Sequence, residues 1–148
     1  MSGPGWSVRV RAAKDNLAAA TLRGQTVTVG PPLAFDPQSK IPSALEMALC
    51  AYGCDLLNGF VALAKRERIA VFDAEIAVTG ELNNPLMHVG VIGEEGDPGI
   101  EALSATLYVT SDAEEAALNE LWQTTLTRSP LHVTLSRCAK TDARLVIQ

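Results

Sequence analysis

The chain has 148 residues, of which 47% are hydrophobic and 20% are charged, with a formal net charge of -5. These totals are typical of a globular protein and exclude a disordered or fibrous one, and the length predicts a single domain, residues 1–148. The basic residues are scattered through the sequence, which argues against a nucleic-acid partner.

The cysteine count predicts the compartment. Three cysteines occur in the sequence, and the first residues, Met1–Trp6, lack the hydrophobic run of a signal peptide. An odd number of cysteines without secretory context indicates free thiols in a reducing compartment. We therefore expect a cytoplasmic protein.

Three short strands are predicted before the first helix. Residues 7–12, 17–22 and 25–29 alternate polar and apolar side chains or are rich in β-formers, and Arg23-Gly24 predicts a tight turn between the last two. Residues 30–40 contain three prolines and a glycine, so they are predicted to form a loop.

Residues 42–66 predict a long helix that is apolar on nearly every side. Ser43 and Glu46 have the spacing of a capping box. Glu46, Asp55 and Asn58 interrupt the apolar run, which favours a core helix over a membrane span. About six strands of one small chain cannot cover such a helix, so the sequence predicts a homodimer.

The rest of the chain alternates strands and helices. Strands are predicted at 71–82, Met87–Ile92, 101–110 and 143–147, an acidic loop at 93–99, a helix from a second capping box at Ser111–Glu114 to about Thr127, and a short turn at Leu131–Leu135. This order predicts an α+β fold in which an antiparallel or mixed sheet covers the long helix.

The long helix also carries the main chemical lead. Cys50, Cys54 and Asn58 recur every four residues, so they share one stripe of the helix. That stripe is either packing or a reaction site. Asp55 lies beside it, and buried polar groups of this kind require hydrogen-bond partners, either across a dimer seam or in a pocket.

From about residue 18 onwards the sequence resembles the OsmC/Ohr family of thiol-dependent hydroperoxide reductases. The segments that carry the resemblance are Ile41–Leu49, Tyr52–Cys54, Lys65–Ile69, Ala74–Glu81 and Ser129–Leu135. The resemblance implies an OsmC-like fold, with antiparallel or mixed sheets around a long central helix, and an intertwined homodimer. It also implies reduction of organic or hydrogen peroxides by a reactive cysteine.

The resemblance assigns the thiols different roles. Cys54 stands at the position of the reactive cysteine, whereas Ser129 stands at the position of the resolving cysteine and cannot form a disulfide. An external thiol reductant is then expected to resolve the oxidised Cys54. Cys50 is a possible substitute, but a disulfide one helical turn away is strained, and packing is its other interpretation.

The other family positions are matched in part. Ala44 replaces the glutamate at the start of the helix, with Glu46 as the nearest carboxylate. Two arginines, Arg11 and Arg23, are candidates for the residue that orients the hydroperoxide.

Other reactive groupings are weaker. Cys138 is interpreted as a structural or surface thiol. Ser129 with His132 has no orienting acid or nucleophile elbow, so a polar turn is expected there rather than a hydrolase site. A zinc site built from Cys50, Cys54, His88 and His132 matches no standard ligand spacing, and neither a metal nor a cofactor is expected.

Two functions follow. The first is hydroperoxide reduction through Cys54 with an external thiol. The alternative is a non-catalytic protein of the same fold that binds a small apolar ligand in the same pocket or serves as a dimeric scaffold. Neither requires a nucleic acid or a membrane.

Overall fold

The computed structural model describes residues 5–31 and 38–148, and the chain forms two compact units, residues 1–48 and residues 49–148. The first unit contains β1 (Arg9–Ala12), β2 (Ala18–Leu22) and β3 (Gln25–Val29), which form an antiparallel sheet in that order. Arg23 and Gly24, with φ of 47° and 80°, connect the paired residues Leu22 and Gln25. These angles suit a two-residue hairpin, so the predicted tight turn is confirmed.

The register of this sheet produces one apolar face. Val10 pairs with Ala20, and Ala20 pairs with Val27, so the three side chains point to the same side. Val10 is 61% exposed and Leu22 is 41% exposed. The described part of the chain therefore leaves much of this face uncovered.

The long helix, α1, spans Ala44–Glu67 and begins with the predicted capping box. The N–H of Ser43 donates to the Glu46 carboxylate at 2.7 Å, and the N–H of Glu46 donates to the Ser43 hydroxyl at 3.3 Å. These reciprocal bonds satisfy two N–H groups at the helix start. Hydrogen bonding of the Glu46 carboxylate to the backbone N–H of Ser43, and then to the Ser43 side chain, lowers the pKa of Glu46.

Only one face of α1 is buried. It consists of Tyr52, Gly53, Leu56, Phe60 and Ala64. The described part of the single chain therefore leaves much of this apolar helix uncovered, as the sequence predicts. In the described part of the chain, α1 alone is long and apolar enough to cross a membrane, a property that core helices of soluble proteins share.

The second unit is built on a mixed sheet. Its elements after α1 are β4 (Asp73–Leu82), α2 (Pro85–His88), β5 (Ile100–Thr110), α3 (Glu115–Arg128), α4 (Pro130–Leu135) and β6 (Lys140–Ile147). The central strand β5 pairs antiparallel with β4 and parallel with β6. A mixed sheet with a long helix confirms the predicted α+β class.

The core of this unit lies between the sheet, α1 and α3. Alternate residues of β5 are buried, from Leu103 to Val109, and they join the buried residues of α1 and α3 in one cluster. The rings of Phe60 and Trp122 meet edge to face with centroids 6.3 Å apart. Burial of large side chains in this cluster fixes α1 against the sheet.

Glycine permits the close approach of α1 to β4. A Cβ atom at Gly80 would lie 2.9 Å from Leu49 of α1, and one at Gly53 would lie 3.1 Å from Val78 of β4. A larger residue at either position would push the helix away from the strand. The glycine inside α1 is therefore explained by packing.

The predicted strand at Met87–Ile92 is wrong, because the segment starts as the helical turn α2. The side chain of Asn84 accepts from the N–H groups of Leu86 and Met87, both at 3.1 Å, and Pro85 occupies the first turn. An Asn cap followed by proline starts a helix more effectively than a short apolar run starts a strand.

The second predicted capping box is also wrong. The Ser111 hydroxyl donates to the carbonyl of Ala70 at 2.6 Å and accepts from the N–H of Ala113 at 3.1 Å, and Glu114 caps α3 without a side-chain bond. The Ser111 hydroxyl therefore makes a tertiary contact with Ala70 in place of a capping box with Glu114.

Part of the predicted loop at 30–40, residues 32–37, lies outside the described residues.

Candidate functional site

The two helical thiols lie together on the exposed side of α1. Cys50 and Cys54 are free and exposed, and their Sγ atoms are 4.0 Å apart. A disulfide requires a separation of about 2.05 Å, so the pair is reduced. The predicted stripe is confirmed as an exposed one, on which Asn58 and Val61 also lie.

The surroundings of Cys54 disfavour its thiolate. Partial burial, then the hydrogen bond between the two thiols and the charge of Cys50, all raise the pKa of Cys54 above its ordinary value of 9.0. The thiolate, not the thiol, is the nucleophile. The single chain therefore holds Cys54 mainly as the less reactive thiol at neutral pH.

Ser129 contacts Asp55 rather than Cys54. Ser129 is 5% exposed, and its hydroxyl donates to the Asp55 carboxylate at 2.5 Å. Consecutive residues of a helix point about 100° apart, so the side chains of Asp55 and Cys54 leave α1 on different sides. Ser129, which the resemblance places at the position of the resolving cysteine, is therefore hydrogen-bonded to Asp55, the residue that follows Cys54.

Ser129 and Asp55 together cap α4. The Ser129 hydroxyl accepts from the N–H of His132 at 2.9 Å, and the same carboxylate oxygen of Asp55 accepts from the N–H of Leu131 at 3.3 Å. The orphan N–H groups at the start of α4 are thereby satisfied. This arrangement answers the expectation that Asp55 needs a partner, and the partner is within its own chain.

His132 is engaged with Tyr52 of α1. The Tyr52 hydroxyl lies 2.8 Å from Nδ1 of His132, and the two rings are stacked with centroids 6.1 Å apart. Burial lowers the pKa of His132 and raises the pKa of Tyr52. Both groups are therefore neutral, and Nδ1 of His132 can accept a hydrogen bond from the Tyr52 hydroxyl. Ser129 bonds only the backbone of His132, which leaves no serine–histidine nucleophile pair.

Tyr52 is the residue of this cluster that the sequence reasoning missed. It is buried, and a buried tyrosine hydroxyl usually has a hydrogen-bond partner. Asp55 follows three residues later on an adjacent part of α1. That spacing of two polar groups in an apolar helix was the signal that a polar neighbour packs there.

The remaining family positions lie in the first unit, residues 1–48. The carboxylate of Glu46 is bonded to Ser43. Arg11 lies on β1 and Arg23 in the hairpin turn, and within residues 5–31 and 38–148 neither side chain forms an ion pair. Ala44 is the first residue of α1.

The other candidate ligands are also dispersed. Cys138 is exposed, follows α4, and contacts the carbonyl of Leu135 at 3.3 Å. His88 ends α2, and the ring of His132 is taken by Tyr52. Among the residues that the structure describes, no three potential metal ligands come together. The four-residue zinc alternative is therefore not assembled.

Loss of the Ser129 hydroxyl should destabilise the chain. Ser129→Ala leaves the N–H of His132 without a partner and leaves Asp55 bonded to the N–H of Leu131 alone, so the free energy of unfolding should fall by about 1–3 kcal/mol in denaturant titrations. The matched control is Ser136→Ala, an exposed serine whose hydroxyl contacts the carbonyl of Val133 at 3.3 Å. A loss at Ser129 no larger than at Ser136 would contradict the capping role.

The partial burial of His132 should make stability depend on pH. Because burial lowers the pKa of His132 below its ordinary 6.5, its contribution is complete above pH 6.5 and is lost as the pH falls through the folded-state pKa. Melting temperatures should therefore decrease below this pH. His132→Gln should reduce the decrease and His88→Gln should retain it; equal slopes in all three proteins would refute the assignment.

Comparisons with known proteins agree with this architecture. Similar solved structures include the OsmC like protein from Mycoplasma pneumoniae, at 17% identity, with 99% of each chain covered and a TM-score of 0.82. OhrB of Bacillus subtilis, an organic hydroperoxide resistance protein, has 16% identity and a TM-score of 0.63. The alignment covers 95% of this chain and 96% of the OhrB chain. An organic hydroperoxide resistance protein from Elizabethkingia anophelis has 9% identity, covers 99% of this chain and 100% of its own, and gives a TM-score of 0.73.

These identities are low, so the structural likeness establishes the fold and not the activity. A comparison with curated protein sequences finds no match. The sequence profile of OsmC-like proteins, however, matches residues 37–144, which include α1, β4, β5, α3, α4 and β6 as far as Arg144. The chain belongs to the OsmC-like protein family.

Proposed function

We propose that the protein reduces organic or hydrogen peroxides through Cys54, with an external thiol as the reductant. The observation that carries the proposal is the free, exposed Cys54 thiol on the long helix of an OsmC-like chain. Two proteins of similar structure are named for organic hydroperoxide resistance, which supports the same substrate class here.

The reaction begins with the thiolate of Cys54. It attacks one oxygen of the O–O bond, and the second oxygen leaves and takes up a proton as an alcohol or water. Cys54 is left as a sulfenic acid. An external thiol condenses with it to a mixed disulfide and releases water, and a second external thiol regenerates Cys54 and forms the oxidised reductant.

The contacts of the candidate partners favour an external resolving thiol. Ser129 has no sulfur, and its hydroxyl is bonded to Asp55. Cys50 is near, but its Sγ would have to move about 2 Å closer to that of Cys54 while both residues remain in one helix. A small thiol from solution can reach the exposed Cys54 without such a distortion.

We further propose a homodimer, with the thiols at its seam, in the cytoplasm. The Asn58 and Val61 part of the exposed stripe of α1 and the uncovered apolar face of the first sheet are surfaces that a second copy could cover, with Cys50 and Cys54 left open to solvent at the edge of the seam. Three free thiols suit a reducing compartment.

A second candidate is a non-catalytic OsmC-like protein that binds a small apolar ligand or acts as a dimeric scaffold. Two observations favour it: Ser129 is bonded to Asp55, and every influence on the pKa of Cys54 raises it. Such a protein would show ligand-dependent stabilisation and no peroxide consumption. The following experiment separates the two candidates.

Peroxide consumption should depend on Cys54 alone. With an alkyl hydroperoxide and excess dithiol, Cys54→Ser should lower the rate at least roughly 100-fold, whereas Cys138→Ser should leave it unchanged. Cys50→Ser should retain most of the activity. Because the pKa of Cys54 is raised, the rate should still be rising with pH at 9.0. Equal rates in Cys54→Ser and wild type would refute the proposal.

The exposed stripe of α1 should be needed for dimerisation. Sedimentation should give twice the chain mass of 15.7 kDa. Val61→Glu, which places a charge on this stripe, should weaken the dimer by at least roughly tenfold. Ile92→Glu is the matched control, because Ile92 is fully exposed and lies outside α1. A monomeric wild-type chain would contradict the proposal.

A further inference from the structure

The distance between the two helical thiols is closer to that of a metal-bridged pair than to that of a disulfide. The distance between their Sγ atoms is 4.0 Å. Two thiolates on a tetrahedral zinc ion, each with a bond of about 2.3 Å, lie about 3.8 Å apart. The pair therefore needs a movement of a few tenths of an ångström to hold a metal, but about 2 Å to form a disulfide.

Helical backbone and exposure both suit such a bridge. Cys50 and Cys54 are separated by one turn in the middle of α1, and both are exposed. Metal binding at this separation leaves the backbone hydrogen bonds of the turn intact, because the side chains alone adjust. Asn58 and Val61 continue the same exposed stripe, so solvent reaches the pair.

We propose that Cys50 and Cys54 form a two-thiolate site for a soft divalent cation of the Zn²⁺ or Cd²⁺ class. Thiolate ligands select such ions over Mg²⁺ and Ca²⁺, which prefer oxygen. The described part of the chain brings no third potential ligand to the pair. Water or a small solution thiol completes the coordination, in contrast to the four-residue zinc site with His88 and His132.

Electrostatics supports this assignment. Two thiolates with their Sγ atoms 4.0 Å apart repel each other. A divalent cation between them removes this repulsion and displaces both thiol protons. Binding should therefore weaken as the pH falls.

The experiment is a titration of the reduced, metal-free full chain with Cd²⁺, followed by ultraviolet thiolate-to-cadmium absorption. About one ion per chain should bind. Cys50→Ser and Cys54→Ser should each weaken binding roughly 100-fold, the share of one ligand in a four-ligand zinc site. Cys138→Ser, at the third exposed thiol, is the matched control and should bind as wild type does.

A second readout uses alkylation and mass spectrometry. Without Cd²⁺ all three cysteines should react with iodoacetamide, and with Cd²⁺ only Cys138 should react. Absence of the absorption, or a loss of less than tenfold in either Cys50→Ser or Cys54→Ser, would overturn the proposal. Neither readout uses a peroxide, so the metal site and the proposed peroxidase activity stand or fall separately.

Discussion

The carboxylate of Asp55 is the constraint on which the arrangement of the site depends. It lies on α1 and binds the hydroxyl of Ser129 and the N–H of Leu131, so one side chain joins the central helix to the start of α4. A hydrogen bond to a charged acceptor is stronger than one between neutral groups. With Ser129 held in this way, the segment after α3 has a fixed position against α1.

This constraint divides α1 into surfaces with different tasks. Tyr52 and Leu56 belong to the buried face, and Asp55 lies at its border, where it meets α4. Cys50 and Cys54 lie on the exposed stripe. Since the periodicity of the helix separates the two sets, the polar contacts with α4 and the chemistry of the thiols do not share partners.

The separation bears on how an OsmC-like chain without a second family cysteine can work. Ser129 has a structural role of its own, because its hydroxyl donates to Asp55 and accepts from the N–H of His132 in the cap of α4. Cys54 instead has Cys50 as its neighbour, and that neighbour raises its pKa. The thiol nearest to Cys54 therefore disfavours the Cys54 thiolate, and the proposed reaction takes its reductant from outside the chain.

The sequence by itself determined the elements whose signals are local. The capping box at Ser43, the Arg23-Gly24 turn and the thiol stripe of α1 depend on residues within one or two turns of each other. The tertiary structure decided the hydrogen bonds between residues that are far apart in the sequence. The hydroxyl of Ser111 bonds to the carbonyl of Ala70, and Asp55 bonds to Ser129, because a polar side chain that folding takes partly out of water needs a hydrogen-bond partner from the residues brought near it.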